Sequence, residues 1–289
     1  MPALIDETVI ARPRGPLAEV VSEHHAYRQR GLAPARHIGL PSAALTLIVT
    51  IHEPLTIAEH VNPEQTPGEY NALIGGLHTS PALITHDGAQ SGIQLALSPL
   101  GTRAMFGVPA GELAALDLDL GELLGPLATE LHERVRHVYT WPARFAVLDR
   151  VLGARLNLDD RPPPEVCRAW RRLVSTHGTI TISALASEVG WSERHLASRF
   201  RTEIGLSPKA AARVIRFQRA RRLIGRRPGA DVAAECGYFD QAHLVRDFVA
   251  FSGLSPTAWL AAERPSREVA HSKPSRRPAR EGHSTRAHP

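Results

Sequence analysis

Apolar positions change their period near residue 100. Upstream, short β-branched runs at Leu45–Ile51, Thr56–Val61, Ala82–Thr85 and Ile93–Leu97 are separated by Pro, Gly, Asn and Asp. That pattern predicts several short antiparallel strands within about 40–98. From 99 to 158 the spacing turns helical, with long candidates at Leu120–Val138 and Ala143–Leu158. The run Arg161-Pro162-Pro163-Pro164 then interrupts the chain, because consecutive prolines cannot continue a helix. Beyond it strand signals nearly vanish, and Val166, Trp170, Leu173 and Val174 recur at helical spacing. The expected fold class is α+β: a small mixed strand/helix domain over 1–160, a linker at 161–164 and an all-α domain over 165–264. Residues 265–289, rich in Pro, Ser, His and Arg without periodic apolar positions, are expected to be a disordered basic tail.

The all-α part repeats itself. Leu185-Ala186-Ser187-Glu188-Val189-Gly190 matches Val232-Ala233-Ala234-Glu235-Cys236-Gly237, and His195-Leu196, Phe200 and Gly205-Leu206-Ser207-Pro208 match His243-Leu244, Phe248 and Gly253-Leu254-Ser255-Pro256. Two copies mean one supersecondary unit used twice. Each reads as a short helix, a glycine turn, an N-cap (Ser192 or Asp240) and a second helix with Leu and Phe inward. This is the grammar of a helix-turn-helix, at about 182–204 and 231–252. Between the copies, Ser207 and Pro208 open a helix that continues to Ile224. Its length of about 25 Å suits two recognition helices entering successive major grooves.

Charge sharpens the division. The chain has 289 residues and a net charge of +5. Residues 1–164 hold 12 basic against 18 acidic residues, 165–264 hold 16 against 9, and 265–289 hold 6 against 2. Only the back half is therefore suited to a polyanion. The longest near-apolar run, Ala43–Ile51, is far shorter than a membrane helix, which needs about 20 residues. Asp6 and Glu7 stand where a secretory signal would be basic. Cys167 and Cys236 lack disulfide or zinc spacing. A cytoplasmic protein with reduced thiols is expected, with no membrane partner.

The motifs Ala-x-x-Val-Gly-Trp-Ser-x-x-x-Leu-x-x-x-Phe at 186–200 and Val-Ala-x-x-Cys-Gly-Tyr-Phe-Asp-Gln-Ala-His-Leu-x-x-x-Phe at 232–248, each followed by Gly-Leu-Ser-Pro, carry a family resemblance. The stretch from about Glu165 to Ala262 resembles the DNA-binding domain of AraC/XylS-type transcriptional regulators. The resemblance implies double-stranded DNA and RNA polymerase as partners, activation more often than repression, and a front domain that senses an effector, dimerises, or both. Base-facing candidates lie opposite the inward Leu/Phe face: Arg194, Ala197 and Ser198 in the first copy, Gln241, Ala242, Val245 and Arg246 in the second. Arginine can fork onto guanine, glutamine can pair with adenine, and Ala or Val can meet a thymine methyl. Ser192, His195, Arg199, Arg201, Asp240 and His243 are candidates for the DNA backbone. The paired histidines fit a shared packing or backbone role better than metal or acid-base chemistry. Arg213, Arg216, Arg219 and Arg222 either approach phosphate or are solvated.

The front half says less. Leu95-x-Leu-x-Pro-Leu-Gly-Thr-Arg-Ala-Met-Phe-Gly-Val-Pro109 is similar to the N-terminal domain of a subgroup of these regulators, and the effector is unknown. A cupin-like sheet is compatible with the strands, but His52, His60, His78 and His86 are scattered without H-x-H, so neither metal nor cofactor is expected. The helices over 120–158 fit a homodimer interface and an intradomain cap equally well. No Gly-x-Ser-x-Gly, phosphate-binding glycine loop or H-E-x-x-H occurs, and no enzyme activity is expected.

Overall fold

The computed structural model describes residues 4–262, and the tail expected over 265–289 lies outside them. The front of the chain is built from ten strands, all paired antiparallel. They are β1 (Ile5–Ala11), β2 (Val21–Arg30), β3 (Ala35–Gly39), β4 (Leu45–Thr50), β5 (Leu55–Glu59), β6 (Gly68–Tyr70), β7 (Ala72–Gly75), β8 (Ala82–His86), β9 (Ala89–Leu97) and β10 (Asp117–Asp119). One sheet has the order β1-β2-β9-β4-β7-β10 and the other β3-β8-β5-β6. Side chains alternate across the first sheet. Leu45, Leu47 and Val49 of β4 share the main core with Ile93, Leu95 and Leu97 of β9, whereas Ile48 and Leu73 meet Leu55 and Ile57 of the second sheet.

Strands therefore begin at Ile5, well upstream of the expected 40–98. In β2 only Val21, His24 and Ala26 are buried, and β3 buries no residue, so large apolar side chains do not mark the two-residue period. The expected helix over 120–138 is likewise broken. Leucine spacing suggests continuity, but Gly125 takes φ 58° and Pro126 starts a new helix, giving α2 (Gly121–Leu124) and α3 (Pro126–His137) after α1 (Thr102–Phe106). Helix α4 (Trp141–Arg155) follows, and β10 precedes α2 in a region read as helical. Leu131 and Val135 of α3 and Leu148 and Leu152 of α4 are buried in the core under the first sheet. These apolar faces thus form an intradomain cap. His24 reinforces it: its ring stacks on Phe145 at 5.2 Å and its Nε2 lies 2.8 Å from Asp149.

The back of the chain is helical: α5 (Pro164–Ser175), α6 (Ile182–Glu188), α7 (Glu193–Ile204), α8 (Pro208–Leu223), α9 (Gly229–Glu235), α10 (Gln241–Ser252) and a last helix over 256–262. Helix α8 is the spine. Phe217, fully buried, sits 5.0 Å from both Phe248 and Phe251, while Trp259 closes on Phe248 at 5.5 Å. On the other side of the domain Trp170 of α5 packs against Phe200 of α7 at 6.1 Å.

Arginines on α8 fasten its neighbours. Arg213 Nη2 donates to Asp247 of α10 at 2.7 Å, with its guanidinium 5.0 Å from the Phe251 ring centre. Arg216 donates to the Gly178 carbonyl at 2.6 Å and lies over Tyr238, and Arg219 pairs with Glu235 of α9 at 3.2 Å. These three make internal ties, although the side chains of Arg213 and Arg219 keep 36% and 32% of their surface exposed, and Arg222 is exposed. Asp247 is only 4% exposed, so its charge depends on Arg213.

Phe217→Ala is expected to destabilise the protein by about 3–5 kcal/mol through an unfilled cavity, measured by urea unfolding. In the same assay Arg213→Ala should cost about 1–3 kcal/mol, because it strands the buried Asp247 carboxylate. Arg222→Ala, at an exposed position, should stay within about 0.5 kcal/mol of wild type.

Candidate nucleic-acid interface

The two helix-turn-helix units share atomic detail beyond their sequence match. In the turns, Gly190 and Gly237 take φ 72° and 73°, which an L-residue rarely adopts. The next residue then reaches back: Trp191 N donates to Ala186 O at 3.0 Å, and Tyr238 N to Ala233 O at 2.9 Å. The caps also match. Ser192 Oγ accepts from His195 N at 3.3 Å, and Asp240 Oδ1 accepts from His243 N at 2.6 Å. Both second helices end at a glycine with positive φ, Gly205 at 93° and Gly253 at 72°.

The recurring histidines have a packing function. His195 meets the Trp191 ring edge-on at 4.6 Å, and His243 meets Tyr238 at 5.2 Å in the same T-shaped way. Each imidazole braces the aromatic side chain of its own turn. Burial pushes the Tyr238 hydroxyl well above its ordinary pKa, with the Asp247 charge adding to the shift, so it stays protonated. Cys167 and Cys236 are buried free thiols, and burial raises both.

The exposed faces of α7 and α10 begin at their N-termini. Arg194 and Ser198 are exposed and Ala197 half-buried on α7; Gln241, Ala242 and Arg246 are exposed and Val245 half-buried on α10. Arg194, Arg199, Arg201 and Arg246 make no ion pair among the described residues, in contrast to the tied arginines of α8. Gln241 is placed differently from its neighbours. Its amide rests against the start of α9, where a Cβ added to Gly229 would stand 2.8 Å from Nε2. A base contact from Gln241 needs that side chain to swing away. Asp247, in the recognition-helix repeat position held by Arg199 in the first copy, was missed by sequence reasoning; the signal was the exchange of a basic for an acidic residue between the two copies.

A second concave feature lies between the two sheets, a cavity of about 490 Å³. Ile48, Leu55, Ile57, Leu73 and Ile84 supply apolar wall, and Thr46, Gln94, His25 and His37 supply polar groups. Helical residues Gln218, Arg222 and Trp259 close one side, so both domains line it. Gln218 Oε1 also accepts from Ala43 N at 3.1 Å. At the cavity edge Asp117 Oδ2 lies 2.8 Å from His60 Nδ1, and His60 Nε2 is 3.3 Å from the Tyr70 hydroxyl. His60, which sequence spacing left as one of several scattered histidines, is thus a buried staple between the sheets. Its partner is distant in sequence, so spacing carried no sign of it.

Known proteins share parts of this geometry. A family model described as a helix-turn-helix domain matches residues 185–262, from α6 through the last helix. The HTH-type transcriptional regulator YbfI of Bacillus subtilis (strain 168) is 34% identical over 67 residues, covering 22% of this chain and 24% of that protein. The match spans about a quarter of that relative's length. An apo variant of ToxT from Vibrio cholerae strain SCE256 superposes over 87% of this chain and 99% of that chain, at 10% identity and a TM-score of 0.50. The DNA-binding domain of AdpA, solved in complex with a target DNA, is 26% identical and covers 36% of this chain and 96% of that chain, with a TM-score of 0.34. The C-terminal region of this chain matches a helix-turn-helix domain family over residues 185–262, and it stands behind a β-rich domain in the arrangement that ToxT also has.

Proposed function

We propose that the protein is a sequence-specific DNA-binding transcriptional regulator that reads two successive major grooves with α7 and α10 under control of its N-terminal domain. One observation carries this reading: both second helices of the repeated unit present exposed N-terminal faces with unpaired arginines, Arg194 and Arg246, while Arg213, Arg216 and Arg219 of the connecting helix are engaged with internal acceptors. Arg194 and Arg246 read bases, joined by Ala197, Ser198, Ala242 and Val245, and by Gln241 once released from Gly229. Arg199, Arg201 and the capped helix N-termini at Ser192 and Asp240 meet the sugar-phosphate backbone, which sets register rather than sequence. His195 and His243 act there by holding their turns.

The cavity between the sheets is the site for a small-molecule effector with an apolar body and a hydrogen-bonding group, since both chemistries line it. Because α8 and the last helix share that lining, an effector that binds one arrangement of the domains better than another shifts their population. Activation through RNA polymerase contact, residence in the cytoplasm and the absence of an enzymatic activity complete the reading; homodimerisation is compatible with it.

Arg246→Ala tests the base-reading assignment. On a site selected from random DNA, the variant should lose about 1–3 kcal/mol of binding free energy and relax preference at one base pair, with affinity for scrambled DNA nearly unchanged in gel-shift titrations. Equal weakening on selected and scrambled DNA would show that Arg246 contacts phosphate instead.

A further inference from the structure

The N-terminal domain grips one recognition helix and not the other. Glu203 lies in the last turn of α7 and is 3% exposed. Arg103 of α1 holds it with a two-pronged fork: Nε donates to Oε2 at 2.7 Å and Nη2 to Oε1 at 3.1 Å. Asp160, just before the proline linker, stands 3.9 Å from the same guanidinium. Beside the fork the backbones touch. A Cβ on Gly111 would fall 2.1 Å from Thr202 O and 2.7 Å from Arg201 O, so only glycine lets the turn Ala110–Leu113 meet the end of α7 this closely. Across the same seam, a Cβ on Gly205 would lie 3.0 Å from Ala114 Cβ.

The second unit has no counterpart to this grip among the described residues. The repeat aligns Glu203 with Phe251, which is buried against Phe217 of α8, and α10 is tied to α8 through Arg213 and Asp247. The front domain touches that part of the molecule through Ala43 on Gln218 and through the cavity lining, not through an ion pair to α10. The fork also leaves the outward face of α7 free. Arg194 is nine residues away, about 13 Å along the axis, and remains exposed while Glu203 is held.

We propose that Arg103, Glu203 and Gly111 form a positioning joint through which the N-terminal domain sets the orientation of the first recognition helix, while the second takes its orientation from α8. The inference rests on the reading of α7 and α10 as DNA-reading helices. In this arrangement a change in the front domain alters recognition in one half of the DNA site and leaves the other half unaffected.

The test uses the full chain with Arg103→Met, which keeps most of the side-chain stem and removes the fork, Arg103→Lys, which keeps the charge, and Glu203→Gln. Gel-shift affinity is measured on a selected site and on versions with either half scrambled. Arg103→Met should reduce discrimination in the α7 half by about 2- to 30-fold, the span expected for residues that carry coupling between sites, with Arg103→Lys in between and discrimination in the α10 half unchanged. Equal losses in both halves, or in neither, overturn the joint. Amide hydrogen exchange of the DNA-free protein is a separate readout: exchange at Thr202 to Gly205 should quicken in Arg103→Met and Glu203→Gln, while that of α10 stays as in wild type. Unchanged exchange at the end of α7 also overturns the proposal. Absence of any sequence preference in the wild type would instead refute the DNA-reading function, and the exchange result would still decide the joint.

Discussion

Burial of one aromatic side chain on α8 organises the helical half of the molecule. Phe217 sits between Phe248 and Phe251, so the second helix-turn-helix is assembled around it. A ring of this size fully removed from water contributes a few kcal/mol, a large share of a marginal net stability. That packing also fixes which way the rest of α8 faces. Once Phe217 points inward, Arg213, Arg216 and Arg219 are brought against α10, the α5–α6 turn and α9. Their charges are then used to satisfy Asp247, a carbonyl and Glu235.

The sorting of cations follows from this. The helical half is basic by composition, but its arginines differ: Arg172, Arg213, Arg219 and Arg227 pair with carboxylates, whereas Arg194, Arg199, Arg201 and Arg246 stay open on α7 and α10. An ion pair with a buried carboxylate loses much if one partner is removed, whereas an exposed arginine gains most from an external phosphate or guanine. Net charge therefore overstates the surface available to DNA, and the unpaired residues define it better.

The seam between the halves is uneven in the same sense. A bidentate ion pair and a backbone contact at Gly111 fix the end of α7, while α8 and the last helix meet the front domain around a cavity. The two sides of the seam thus differ: one is closed by an ion pair and a backbone contact, the other borders a cavity. The buried staple of Tyr70, His60 and Asp117 at the cavity edge keeps the sheets together around that space.

Much of the local structure was legible in the sequence. The glycines at 190, 205, 237 and 253, the caps at Ser192 and Asp240 and the inward Leu/Phe spacing each act within one or two turns of chain, and the structure places them as the repeat implied. Strands β1 to β3 carry no apolar two-residue period, because β1 and β3 bury no residue and β2 buries His24 and Ala26 beside Val21, and the break at Gly125 was hidden by leucines on both sides. By itself the sequence determined that two copies of a helix-turn-helix are joined by a long helix in a basic region, since these depend on short-range periodicity and composition. Only the tertiary structure decided that Arg213, Arg216 and Arg219 are ties, that Gln241 lies on Gly229, that His60 pairs with Asp117 and that Glu203 is held by Arg103. In each case the partner lies far enough along the chain that helical or strand spacing cannot bring it into view, and packing of whole elements chooses it.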